Sequence, residues 1–177
     1  MIRLLAVALV LSSLAAPALA AEAADIFGGF QAKSSDPIQV DAAALETYEE
    51  ATQRISVFSG GVTVKRGNTT MKAGTIKLFS PLQASKDPTQ VAQDGSFTRI
   101  EASGDISVSS ANQTVTGSTA IVDMAANTIT VDGNVVLSQG PNVITGSKLV
   151  VNLATGRARV EQAPGKQIRG VFSPNAN

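Results

Sequence analysis

The chain has 177 residues, 14 Lys+Arg against 14 Asp+Glu, and neither Cys nor His. That length suits a single domain with a real core, and the balanced charge argues against a nucleic-acid partner held by a basic excess. Without Cys and His there is no thiol nucleophile, Ser-His-Asp triad, thiolate or imidazole metal site, or disulfide; with 4% aromatics and no Trp, a stacking platform for sugars or bases is disfavoured.

Residues 1–20 read as a secretory leader. Arg3 supplies the charged start, an apolar run extends from Leu4 to Ala16, and Ala18-Leu19-Ala20 is a small-x-small cleavage signal. The run is shorter than the ~20 residues a membrane span needs. Cleavage removes Arg3 and tips the charge one unit toward acid. No Cys follows that could carry a lipid anchor. The mature chain is expected outside the cytoplasm, standing without disulfides. Residues 21–36 read as a flexible, loosely held N-terminal segment.

From Pro37 the pattern changes to short alternations of apolar and polar residues, rich in Val, Ile and Thr and punctuated by Gly, Asn and Asp. That is a strand-and-turn signature. Its strongest feature is an internal repeat anchored on Gly60, Gly104 and Gly133. Two residues on stand Val62, Ile106 and Val135; four on, Val64, Val108 and Leu137; eleven on, Met71, Val115 and Ile144. Thirteen on stand the small residues Ala73, Gly117 and Gly146, and eighteen on Leu78, Val122 and Val151. The small position is expected to let two backbones approach closely or to mark a bend. A partial copy runs from Ile38-Gln39-Val40 to Val57. Within it, residues 42–54 have helical propensity, but the repeat predicts strand–turn–strand there. Residues 80–96, with two prolines and no apolar period, read as a loop inserted between the first and second copies. Ala126-Asn127 and Thr155-Gly156 fall where tight turns belong. Gln167–Phe172 is a final strand candidate, and 173–177 a flexible tail. The repeat predicts strands of six to nine residues, arranged as a meander in two facing sheets or one sheet rolled over.

Residues with chemical potential are scattered. Asp41, Glu46, Glu49, Glu50, Asp94, Glu101, Asp105, Asp123, Asp132 and Glu161 form no paired-carboxylate motif and read as solvated strand ends and turns, Asp132-Gly133 as a turn dipeptide. Gly140-Pro141-Asn142 and Gly146-Ser147-Lys148 lack phosphate-loop spacing and read as a hairpin turn and a repeat glycine. Asn68-Thr69-Thr70 and Asn112-Gln113-Thr114 match the glycosylation tripeptide at a chance rate. Lys65, Arg66, Lys72 and Lys77 form a modest basic cluster that reads as a solvated face, with a phosphate-contacting rim as the alternative. No catalytic residue, cofactor or metal ligand is expected, and the chain does not read as an enzyme.

Pro37-Ile38-Gln39-Val40-Asp41-Ala42, the recurring Gly-x-Val-x-Val, and Thr-Gly-Ser or Gly-Ser-Lys followed by a branched-aliphatic run resemble the OstA-like (LptA) family over roughly residues 37–160. The resemblance implies an all-β, twisted β-jellyroll of repeated antiparallel strands over 37–172, in the periplasm, that binds lipopolysaccharide by its lipid A part in an apolar groove. It implies docking edge to edge between an LptC-like inner-membrane-anchored protein and the N-terminal domain of an LptD-like outer-membrane protein, with head-to-tail self-association. The expected groove face is Ile38, Val40, Val62, Val64, Met71, Ile76, Leu78, Ile106, Val108, Val115, Val122, Ile129, Val131, Val135, Leu137, Ile144, Leu149 and Val151, part groove and part ordinary core. The N-terminal edge is expected at Ile38–Val40 and the C-terminal edge within Ala158–Val160 or Gln167–Phe172. The alternative is a structural or adhesive β-solenoid module with no lipid ligand, since repeated Val/Thr/Gly strands also build parallel β-helices.

Overall fold

The repeat folds into one antiparallel sheet. The computed structural model describes residues 26–27, 36–82, 97–111 and 113–173. Ten strands follow in order: β1 (Gln39–Asp41), β2 (Ala44–Glu50), β3 (Gln53–Arg66), β4 (Thr69–Pro81), β5 (Arg99–Ser110), β6 (Gln113–Asp123), β7 (Thr128–Gln139), β8 (Asn142–Asn152), β9 (Arg157–Glu161) and β10 (Arg169–Val171). β3 to β8 form the body in sequence order. β1 and β2 both pair with the outer side of β3, and β9 and β10 with the outer side of β8, so each edge is a broken strand. All nine strand pairs among the described residues are antiparallel, so a parallel β-helix is not the architecture.

Each repeat copy is one hairpin. The residues two and thirteen past each anchor glycine face each other across it, as Val62 with Ala73, Ile106 with Gly117 and Val135 with Gly146. Those four and eleven past it do likewise, as Val64 with Met71, Val108 with Val115 and Leu137 with Ile144. The strands of the body are 11 to 14 residues long, not six to nine, because the small residues bend them without ending them. Ladder register breaks at Ser59/Val62, Lys72/Thr75, Ser103/Ile106, Thr116/Thr119 and Asp132/Val135, one crease crossing the sheet.

The crease has two ingredients. On β3, β5 and β7 two successive residues are left-handed: Gly60 and Gly61, Gly104 and Asp105, Gly133 and Asn134. On the alternate strands the neighbouring strand stands close beside small residues, most tightly at Gly117 and Gly146. A Cβ on Gly117 would lie 2.5 Å from Val131 Cγ1 and 3.2 Å from the Asp132 carbonyl. Asp132-Gly133 is therefore no chain-reversing turn but part of the bulge within β7. The expected turns do occur at Ala126-Asn127, Gly140-Pro141 and Thr155-Gly156. In two of them a side chain holds the loop: Asp123 accepts from the Ala126 N–H and Asn152 from the Thr155 N–H, both at 2.9 Å.

Bending at the crease folds the inner face of one half onto that of the other, and both halves contribute to one apolar cluster. This is an all-β twisted jellyroll, as the family resemblance implies. The strand–turn–strand expected at 42–54 is present as β2, a turn at Ala51-Thr52, and the start of β3. The expected 80–96 loop begins later, because Ser80 and Pro81 close β4 and Ser80 is buried. Its remainder from 83, the leader and the tail from 174 lie outside the described residues.

Candidate functional site

The apolar interior is the feature that a site can be built on. Of the expected groove face, Val62, Val64, Met71, Ile76, Ile106, Val108, Val115, Val122, Ile129, Val131, Val135, Leu137, Leu149 and Val151 are buried in the single cluster, and Val40, Leu78 and Ile144 pack against it half-buried. Ile38 does not join them. It precedes the first paired residue of β1 and is 47% exposed, since no neighbouring strand covers it there.

The interior also holds residues outside that list. Phe58 and Ala102 are buried two residues before Gly60 and Gly104, the place Val131 holds before Gly133. Ala120 lies sixteen past Gly104, the equivalent of Ile76 and Leu149. Continuing the repeat register in both directions would have found all three. Ile26 and Phe27 are different. They are 0% and 3% exposed and belong to the same cluster. They lie within the 21–36 segment expected to be loosely held; apart from these two and Asp36, that segment lies outside the described residues.

Polar residues bound the interior at both ends. At one end the inward row reads Arg66, Thr69, Ser110, Gln113, Gln139 and Asn142 across β3 to β8. Thr69 is 2% exposed, and its hydroxyl donates to the Ile26 carbonyl at 3.5 Å. At the other end the lining is uneven. On β2, β3 and β4 it carries Thr47, Ser56, Glu49, Arg54 and Ser80, with an Arg54–Glu49 ion pair at 3.0 Å and the Thr47 and Ser56 hydroxyls 3.3 Å apart. From β5 to β9 the same level stays apolar, through Ile100, Val122, Ile129, Val151 and Ala158.

No described cluster of His, Cys, Asp or Glu could hold a metal ion. Other ion pairs among the described residues, Arg99 with Glu101, Lys148 with Asp132 and Arg159 with Glu161, join partly or fully exposed side chains. Large exposed apolar residues stand at or beside the sheet edges: Ile38, Leu45 and Tyr48 at β1 and β2, Ile168, Val171 and Phe172 at β10. The arrangement is suited to burying apolar matter inside and pairing backbone at its two edges.

The comparisons with known proteins agree. The family model described as "LptA/(LptD N-terminal domain) LPS transport protein" matches residues 39–157. An uncharacterised protein of Rhizobium meliloti (strain 1021) is 34% identical over 120 residues, covering 68% of this chain; the match spans 62% of the relative's own length. The crystal structure of LptH, the LptA-homologous periplasmic component of the lipopolysaccharide transport device of Pseudomonas aeruginosa, superposes with a TM-score of 0.60 at 18% identity, covering 81% of this chain and all of that one. That likeness establishes the shared fold, and the family match over most of the sheet places the chain in the LptA/LptD N-terminal-domain family of lipopolysaccharide transport proteins.

Proposed function

We propose that this protein receives the acyl chains of lipopolysaccharide in its apolar interior and carries them across the periplasm as one element of a bridge to the outer membrane. The observation that supports this most is the apolar lining of a sheet folded on itself, whose two edge strands have no further strand beside them among the described residues. An acyl chain of a dozen CH₂ groups costs about 10 kcal/mol to expose to water, at roughly 0.8 kcal/mol per group. A carrier for several such chains needs an apolar interior and no reactive group, which describes this lining. The edges would take strands from neighbours: a second copy, an LptC-like inner-membrane-anchored protein, or the N-terminal domain of an LptD-like outer-membrane protein. Residues 1–20 would direct the chain to the periplasm and be removed after Ala20.

Photo-crosslinking from single positions in cells tests the reading. Val64 and Ile106 face inward, and their neighbours Thr63 and Ser107 face outward, half-buried. Lipopolysaccharide adducts are expected from Val64 and Ile106. Adducts from Thr63 and Ser107 alone would overturn the assignment of the interior.

A further inference from the structure

The cluster residues pack against one another with little exposed surface, so a chain entering among them must displace something. Nearly all of the lining is carried by strands stitched on both sides by ladder hydrogen bonds, and moving it breaks the sheet. Ile26 and Phe27 are the described part of the cluster that no strand carries. They form a short 3₁₀ turn, and the Ile26 carbonyl accepts a long 3.5 Å bond from the Thr69 hydroxyl. Thr69 lies in the polar row beside the β3–β4 turn, so the dipeptide enters the interior at that end. The nearest inward apolar rows of that half hold Val64, Met71, Val108, Val115 and Leu137.

We propose that Ile26–Phe27 is a built-in occupant of an acyl-chain subsite at the Thr69 end of the interior, displaced when a lipid chain enters. The inference rests on the lipid-carrier reading and adds where one chain lodges and what competes with it. Exchanging one apolar occupant for another keeps the lining dry. Further along the chain, the Asp36 carbonyl accepts from Arg66 Nε at 3.1 Å, and an Asp36 carboxylate oxygen stands 2.6 Å from where a Cβ on Gly67 would be. Both contacts hold Asp36 at the same end of the interior. A displaced dipeptide therefore stays at high effective concentration and re-enters when the chain leaves. The competition lowers the apparent affinity by the fraction of molecules in which the subsite is vacant. A carrier that must hand its load onward gains from that.

The sequence contains no Cys, so Ile26→Cys creates a single thiol. Its reaction with Ellman's reagent is measured with and without dansylated undecanoic acid as the acyl probe, alongside probe binding to the wild type and to Phe27→Ser. The thiol is expected to be protected in the free protein and to react at least about ten-fold faster when the probe is saturating, and Phe27→Ser to bind the probe on the order of ten-fold more tightly. If the probe binds while the thiol stays protected, the dipeptide is ordinary core and the proposal falls, with the carrier reading intact. If neither protein binds the probe, the carrier reading falls with it. Should Phe27→Ser fail to fold by circular dichroism, the thiol measurement alone decides.

Discussion

Replacing Gly146 with alanine tests the crease at its tightest point. The backbone of Gly146 is in a region open to any residue, so alanine meets no torsional penalty there. Its Cβ would overlap Val160 Cγ1 and sit 2.8 Å from the Glu161 carbonyl oxygen, on the β9 edge strand. The first clash can be relieved by a side-chain rotation, but the second is with backbone and requires β9 to move. Overpacking of this kind costs about 1–3 kcal/mol, against which alanine recovers about 0.4–1 kcal/mol by restricting the unfolded chain. The expected net loss is about 1–2 kcal/mol. Gly74 is the internal control. Its added Cβ would lie 3.2 Å from the Ser103 carbonyl, a contact that a few tenths of an ångström relieves, so Gly74→Ala is expected to change stability by less than about 1 kcal/mol. Urea unfolding followed by far-ultraviolet circular dichroism is the suitable assay, because the chain has one Tyr and no Trp to report by fluorescence. A Gly146→Ala protein as stable as Gly74→Ala would show that β9 does not press on β8 at the crease. Adding Val160→Ala to Gly146→Ala is expected to restore only part of the loss, since the carbonyl remains.

Two further outcomes are expected. Ile106→Ala, at a position 1% exposed in the middle of the sheet, should cost about 2–5 kcal/mol in the same urea assay, whereas Ile38→Ala should fall within about 0.5 kcal/mol of wild type; equal losses would mean that Ile38 is packed after all. The mature protein should form concentration-dependent oligomers by head-to-tail edge pairing, and Val171→Asp on β10 should shift it toward monomer with its circular dichroism unchanged, read by sedimentation at several concentrations; a strictly monomeric wild type that also ignores LptC-like and LptD-like domains would refute the bridge.

Much of the molecule was legible because its repeat states both partners of each hairpin. The apolar positions two and four past the glycine, and eleven and thirteen past it, are the cross-strand pairs themselves. The interval from thirteen to sixteen breaks the alternation by one residue, which is how a bulge is written in a strand pattern. Reading that slip literally would have given long bent strands instead of short ones, and would have placed Asp132-Gly133 inside a strand. Ile38 was assigned inward because the alternation runs past the point where pairing stops; periodicity marks a face but not the presence of a neighbour to cover it. Ile26 and Phe27 were invisible for the opposite reason. Their burial comes from insertion into a cavity formed by distant strands, and nothing periodic surrounds them. Arg54 inside the inner face was equally unreadable, since its place depends on Glu49, across the β2–β3 turn.

The broken edges bear on how long an assembly can grow. A head-to-tail contact does not close on itself, so identical units could in principle polymerise without limit. Here the N-terminal edge offers three residues of β1 and seven of β2, separated at Ala42-Ala43, and the C-terminal edge five of β9 and three of β10. Short, interrupted edges are how sheet proteins avoid sticking to themselves. Each junction between copies would then be brief and easily exchanged. The span of a chain of such molecules would be set less by the protein than by the distance between whatever holds its two ends.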